Sequence, residues 1–136
     1  KSYGVENSAD LVVTFRNLHN WIGQQGDDIL SQAYKVLKPG GSLGVVDHRA
    51  KPGTSLETMK KSGYITEEYA ISVAKKAGFV LVASSEINAN SKDTADYKNG
   101  VWTLPPSLRL KEIDKDKYLA IGESDRFTLL FKKPEK

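Results

Sequence analysis

The sequence predicts an α/β fold on a partly parallel sheet, and three observations in its first 47 residues carry that prediction. Ala9–Phe15 is a short apolar run with paired valines, the composition of a parallel strand buried on both faces. Ile29, Leu30, Ala33, Tyr34 and Leu37 recur at three- and four-residue intervals, the apolar stripe of an amphipathic helix. The run 42–47 reads as a second strand. Strand, helix and strand in that order make a right-handed crossover, so the three segments form one parallel β-α-β unit.

Asp27 and Asp28 suit the positive N-terminal end of that helix, and Lys35 and Lys38 suit its opposite pole. Pro39 and two glycines stop it and turn the chain. A loop over 48–65 comes next, broken by Pro52-Gly53, with one helical turn near 56–60. Thr66 is the expected N-cap of a second amphipathic helix, with Glu67 and Glu68 in its first turn and Tyr69, Val73, Ala74 and Ala77 on one face. Gly78 is its expected left-handed C-terminal cap. The run 79–85 reads as a third strand, and Arg126–Lys132, alternating Phe127, Leu129 and Phe131 with Thr128 and Leu130, as a fourth. Between them, 86–125 carries Trp102 and Pro105-Pro106 without clean periodicity, and an insertion this long is usually functional or flexible. It reads either as a cap over a substrate pocket or as a surface excursion packed by Tyr97, Trp102, Leu104, Leu108 and Leu110.

With 39% hydrophobic and 27% charged residues in 136, the chain supports one core and one globular unit rather than a disordered tract. Its net charge of +3 is scattered, with no arginine-rich arm or basic helix to track phosphates, so nucleic acid is not an expected partner. No apolar run approaches the roughly 20 residues needed to span a bilayer, and a membrane partner is not expected. Without cysteine there is neither a disulfide nor a thiolate metal site. That composition suits cytoplasm and periplasm alike, with the cytoplasm as the default expectation. The opening Lys1-Ser2-Tyr3-Gly4, with no initiator methionine or apolar leader, reads as an internal start.

In open α/β sheets ligands bind beyond the carboxyl ends of the strands. The first such end offers Arg16, Asn17, His19, Asn20 and Trp21; the second offers Asp47, His48 and Arg49. Both histidines therefore fall within a few residues of neighbouring strand ends. Imidazole titrates near neutrality, which suits His19 to a general-base role, the alternative being a packed loop histidine. A carboxylate such as Asp47 beside an imidazole can hold its tautomer or raise its pKa, although Asp47 and His48, adjacent on a strand, point to opposite faces. Arg16 and Arg49 suit either an anionic substrate or a surface carboxylate, and Trp21 either a pocket wall or the core. Gly40-Gly41 lies between helix and strand, whereas a phosphate loop lies between strand and helix, so nucleotide phosphate is excluded there. No paired-histidine metal spacing and no nucleophile elbow is present, so neither a metal site nor acyl transfer is expected.

The Leu37-Lys38-Pro39-Gly40-Gly41 turn, the Gly63-Tyr64-Ile65-Thr66 and Ala77-Gly78-Phe79 stretches and the run Asn17-Leu18-His19-Asn20-Trp21 together resemble the C-terminal portion of class I S-adenosylmethionine-dependent methyltransferases. The last run is similar to the Leu-His-Asp-Trp signature of small-molecule O-methyltransferases. Stretches 16–21, 47–50 and 122–126 look most like those of a bacterial group of predicted methyltransferases. The resemblance implies a Rossmann-like sheet containing strands four, five, six and antiparallel seven, with strand seven between five and six. Strands one to three, and with them the glycine-rich loop, the ribose-binding acid and the adenine border, have no counterpart in these residues. It further implies that His19 removes the substrate proton, that Phe15, Arg16 and Asn17 border the methionine half of S-adenosylmethionine, and that Trp21, Asp47, His48 and Tyr64 meet the substrate.

The activity that the resemblance implies is methyl transfer to a small-molecule acceptor, O-methylation favoured, by a partial domain spanning 1–136 that is expected to be inactive alone. The competing expectation is a non-catalytic half-domain that binds a partner through its open sheet edge. Half of a nicotinamide-dependent oxidoreductase is a weaker reading, because the helix-to-strand Pro-Gly-Gly turn is more typical of methyltransferases. A first strand lacking an outer neighbour exposes unpaired backbone, so that edge is expected to be covered, most simply by a second copy paired through 11–15 as a homodimer.

Overall fold

Apolar residues at every second position of the strands and every third or fourth of two helices share one interior only when both helices lie on the same sheet face. The computed structural model, which describes residues 2–135, has this arrangement. Its strands are β1 (Ala9–Phe15), β2 (Leu37–His48), β3 (Val80–Ser85) and β4 (Arg126–Lys132), in the spatial order β1-β2-β4-β3. β1 and β2 are parallel, and β4 runs antiparallel to both of its neighbours. The C-terminal strand thus sits between the second and third, as the resemblance implies. The helices are α1 (Gln24–Val36), α2 (Leu56–Ser62), α3 (Glu67–Ala77) and α4 (Lys115–Ile121).

Leu43 and Val45 of β2 and Phe127, Leu129 and Phe131 of β4 point to one face, where Leu30 and Ala33 of α1 and Val73 and Ala74 of α3 cover them. Phe127 and Phe131 are fully buried, each contributing about 2–3 kcal/mol of transfer free energy. The expected caps are present: Thr66 accepts the Tyr69 N–H, and Gly78 ends α3 at φ 111°. α1 is shorter than expected, ending at Val36, so Lys38 lies outside it and forms an exposed pair with Asp10. β2 is correspondingly longer. Its pairing with β1 begins at Ala9 opposite Leu37 and resumes at Leu11 opposite Ser42, which loops 38–41 out as a bulge.

Among the described residues, no helix covers the other sheet face. Leu11, Val13 and Phe15 of β1 point to it at 57%, 48% and 56% exposure, with Leu130 and Val80 beyond them. β1 pairs only with β2, so the expected cover for its outer edge is not supplied by the described residues.

The 86–125 segment is ordered by a 3-10 turn, Gly100–Thr103, and by α4. Two glycines seat it on the end of α2. Gly63 lies at φ 76°, and a Cβ there would come within 2.9 Å of the Trp102 ring; Gly100 lies at φ 70°, and a Cβ there would meet the Ser62 carbonyl oxygen at 2.5 Å. Gly100→Ala is therefore expected to lower the unfolding free energy by about 1–3 kcal/mol in urea titration, from backbone strain plus the clash. A variant as stable as the parent would contradict this seating.

Candidate active site

β1 ends at Phe15, and Arg16 turns the chain at φ 56°, a left-handed conformation unusual for a side-chain-bearing residue, with its N–H donating to the Val46 carbonyl at 2.7 Å. The chain then winds into the 3-10 turn Leu18–Trp21, which folds over the end of β2. Leu18 anchors the turn in the core. Asp47 follows Leu43 and Val45 in the strand alternation, so its carboxylate points to the same buried face and meets the turn.

The result is a bidentate clasp. The His19 backbone N–H donates to Asp47 Oδ2 at 2.8 Å, and His19 Nδ1 lies 2.8 Å from Asp47 Oδ1. The His48 backbone N–H also donates to Asp47 Oδ1, at 2.7 Å. An ionised carboxylate only accepts, so Nδ1 of His19 carries the proton and Nε2 keeps the lone pair. The pairing is with His19, across the turn, and not with the ring of the adjacent His48, whose side chain leaves the opposite face of β2. The His48 ring instead bonds Ser124 through Nδ1 and stands 5.1 Å from the His19 ring. Burial lowers the His48 pKa to about 4 against the opposing Asp47 charge, with His19, Arg126 and Arg16 adding to the fall.

His19 and His48 open onto a cavity of about 390 Å³. Phe15, Arg16 and Asn17 form one wall from the end of β1, Asn20 comes from the turn, and Ser124 and Arg126 come from the start of β4. Arg126 is there because it sits directly opposite His48 in the antiparallel register. Trp102, Pro105, Pro106 and Ser107 of the 86–125 segment close the far side.

Three sequence-predicted substrate residues lie elsewhere. Trp21 is carried past the cavity by the 3-10 turn and packs against α1, lining a separate apolar hollow with Ile29 and Leu30. Tyr64 is buried beneath His48, ring centroids 6.1 Å apart, and its hydroxyl donates to Asp93 at 2.9 Å. Burial and the Asp93 carboxylate hold that phenol well above its ordinary pKa, so it remains a donor. Asp47 is fully buried beneath His19 and meets the cavity only through that ring.

Arg49 also serves the scaffold. It holds Asp125 through Nε at 3.0 Å and Nη2 at 2.9 Å and Glu86 at 2.8 Å, tying the end of β2 to the inserted segment. Burial opposes ionisation of Asp125, yet the Arg49 hydrogen bond and the Asn90 N–H outweigh it and hold its carboxyl low.

Sequence reasoning misses Ser124 and Arg126 as site residues. The signal that locates them is the antiparallel partnership of β4 with β2, which puts the start of β4 beside the carboxyl end of β2. The fold also gathers ligand atoms of His19, Asp47 and His48 within 4.8 Å of one another, a cluster invisible to local spacing. Both Asp47 oxygens are already committed to N–H donors. The two guanidiniums that line the cavity raise the cost of a dication there.

No protein-family model matches the sequence, and no curated protein matches it. Solved structures do match. The 4+2 cyclase SpnF superposes with a TM-score of 0.67 at 17% identity, over all of this chain and 54% of SpnF. A SAM-dependent methyltransferase from Methanosarcina mazei gives 0.61 at 12%, over all of this chain and 64% of that one. Haemonchus contortus phosphoethanolamine N-methyltransferase 2, in complex with S-adenosyl-L-methionine, gives 0.56 at 20%, over 95% of this chain and 34% of that one. The chain has the methyltransferase-like α/β fold that these structures share, and it spans little more than half the length of SpnF.

The neutral, buried His48 predicts an acid-sensitive fold. Between about pH 6.5 and pH 4 the unfolded chain takes up a proton on this side chain that the folded chain refuses, so stability falls as pH falls. The loss is on the order of 3 kcal/mol by pH 4. Urea unfolding at neutral pH and near pH 4.5 should show this slope, and His48→Gln should flatten it; equal slopes in both proteins would contradict the assignment.

Proposed function

We propose that the chain is the C-terminal portion of an S-adenosylmethionine-dependent methyltransferase that methylates a small molecule, with a hydroxyl oxygen as the favoured acceptor. The observation that carries this reading is the Asp47–His19 clasp at the carboxyl ends of two parallel strands of this fold, opening on a cavity of small-molecule size. Fold alone does not decide the reaction, since the matched structures include a cyclase.

Phe15, Arg16 and Asn17 fit one edge of the cofactor, Arg16 through its backbone. Phe15 and Asn17 border both the polar cavity and the apolar hollow behind it, so a molecule laid across the end of β1 meets polar and apolar surfaces together. When bound, S-adenosylmethionine supplies a methyl group activated by a sulfonium. With the cofactor bound, His19 Nε2 would take the proton of the acceptor hydroxyl as its oxygen bonds the methyl carbon and the carbon–sulfur bond breaks, the sulfonium leaving as a neutral thioether. Asp47 fixes the tautomer that makes this feasible and stabilises the imidazolium that results. Trp102 and Pro105 of the inserted segment cap the acceptor and exclude water.

The open sheet face supports a second reading, a half-domain that binds a partner through the sheet. Leu11, Val13 and Phe15 suit a homodimer through β1, or the remainder of a longer α/β domain packed against the same surface. Sedimentation equilibrium separates these: a monomer of the longer protein with β1 protected from amide exchange favours the remainder, and a dimer with the same protection favours self-pairing.

Methyl transfer is tested in the longer protein with labelled S-adenosylmethionine and a panel of phenols. His19→Ala is expected to lower kcat by about 10²–10⁴-fold while leaving the KM for S-adenosylmethionine nearly unchanged, and Asp47→Asn to lower kcat in the same direction. Unchanged kcat in both variants would remove the base assignment.

A further inference from the structure

Two arginines line the cavity, and none of the described residues that line it is acidic. Among the described residues, the Arg16 guanidinium has no hydrogen-bond or ion-pair partner, and its backbone is held in the left-handed region at the rim. Arg126 is held more firmly. Its Nε donates to Ser124 Oγ at 3.2 Å and its Nη2 to the exposed Glu123 at 2.7 Å, which orients the guanidinium and leaves its remaining N–H groups uncommitted.

Ser124 joins the two groups: its oxygen accepts from Arg126 Nε and pairs with His48 Nδ1. Phe15, Trp102, Pro105 and Pro106 supply flat apolar walls beside these donors. Guanidinium N–H groups left uncommitted beside flat apolar walls are the arrangement that binds carboxylate or phosphate oxygens.

We propose that Arg16 and Arg126 bind an anionic group, carboxylate or phosphate monoester, on a small planar acceptor whose hydroxyl meets His19. The proposal rests on the methyl-transfer reading for the role of the hydroxyl only; anion binding stands on the cavity itself. Both guanidinium charges also reach His48, where they add a small part to a pKa depression caused chiefly by burial.

The test is calorimetry on the longer protein with 4-hydroxybenzoate, 4-hydroxyphenyl phosphate and the neutral 4-hydroxybenzyl alcohol. The acids are expected to bind about tenfold or more tightly than the alcohol, with the preference shrinking as salt rises. The tighter of the two acids identifies which anion the site takes. Arg16→Gln, an exposed substitution that leaves the core untouched, should lower acid affinity about fivefold and leave the alcohol unchanged; Arg126→Gln, checked for folding by circular dichroism, should do more. Equal binding of alcohol and acids, retention of the preference in the double variant, or failure of both acids to bind would overturn the proposal. Acid preference without methyl transfer would overturn the catalytic reading and leave this one standing, and turnover without acid preference would do the reverse.

Discussion

A fully buried Asp47 carboxylate accepts three N–H groups, two from His19 and one from His48, and the cavity takes its shape from that contact. Burying a carboxylate costs several kcal/mol, which only well-formed, charge-assisted hydrogen bonds offset. The bonds join the end of β2 to the turn after β1. They therefore fix the relative position of two strand ends as well as one side chain, and truncating Asp47 would leave three donors without a partner. His48 is the counterweight. It leaves the other face of the same strand, meets Ser124, and stays neutral because its burial outweighs the nearby carboxylate. One strand end thus presents an oriented imidazole and a second, neutral imidazole to the same space.

The fold around this site is one-sided. α1 and α3 bury the Leu43, Val45, Phe127 and Phe131 face, while Leu11, Val13, Phe15 and Leu130 stand on the other face largely in the open. Among the described residues, the open face and the unpaired edge of β1 form one continuous apolar surface. The cavity lies at the corner where that surface meets the strand ends, which is why the 86–125 segment, seated by Gly63 and Gly100, is able to wall it.

Much of the scaffold is legible from residues alone. The run of β1, the stripe of α1 and the Thr66 and Gly78 caps are local signals found where periodicity and capping place them, but β1 is an edge strand with one face exposed, not a strand buried on both faces. The Pro-Gly-Gly segment reads as a turn and is a bulge within β2, because pairing with Ala9 captures Leu37 before the turn begins. Site chemistry is legible only in part. His19, Arg16, Asn17, Phe15 and His48 line the cavity as strand-end residues should, whereas Trp21 and Tyr64 do not: a single 3-10 turn rotates Trp21 toward α1, and the Tyr64 hydroxyl is drawn to Asp93. Arg126 and Ser124 come from the far end of the chain, beyond the whole inserted segment, and only the antiparallel register discloses them.

The orientation of His19 by Asp47 is the claim on which the chemistry turns, and nitrogen-15 NMR of the imidazole reads it directly. The expected spectrum shows a protonated Nδ1 and a lone-pair Nε2 in the neutral His19 ring, with that preference lost in Asp47→Asn. A neutral ring protonated on Nε2 in the parent protein would contradict it.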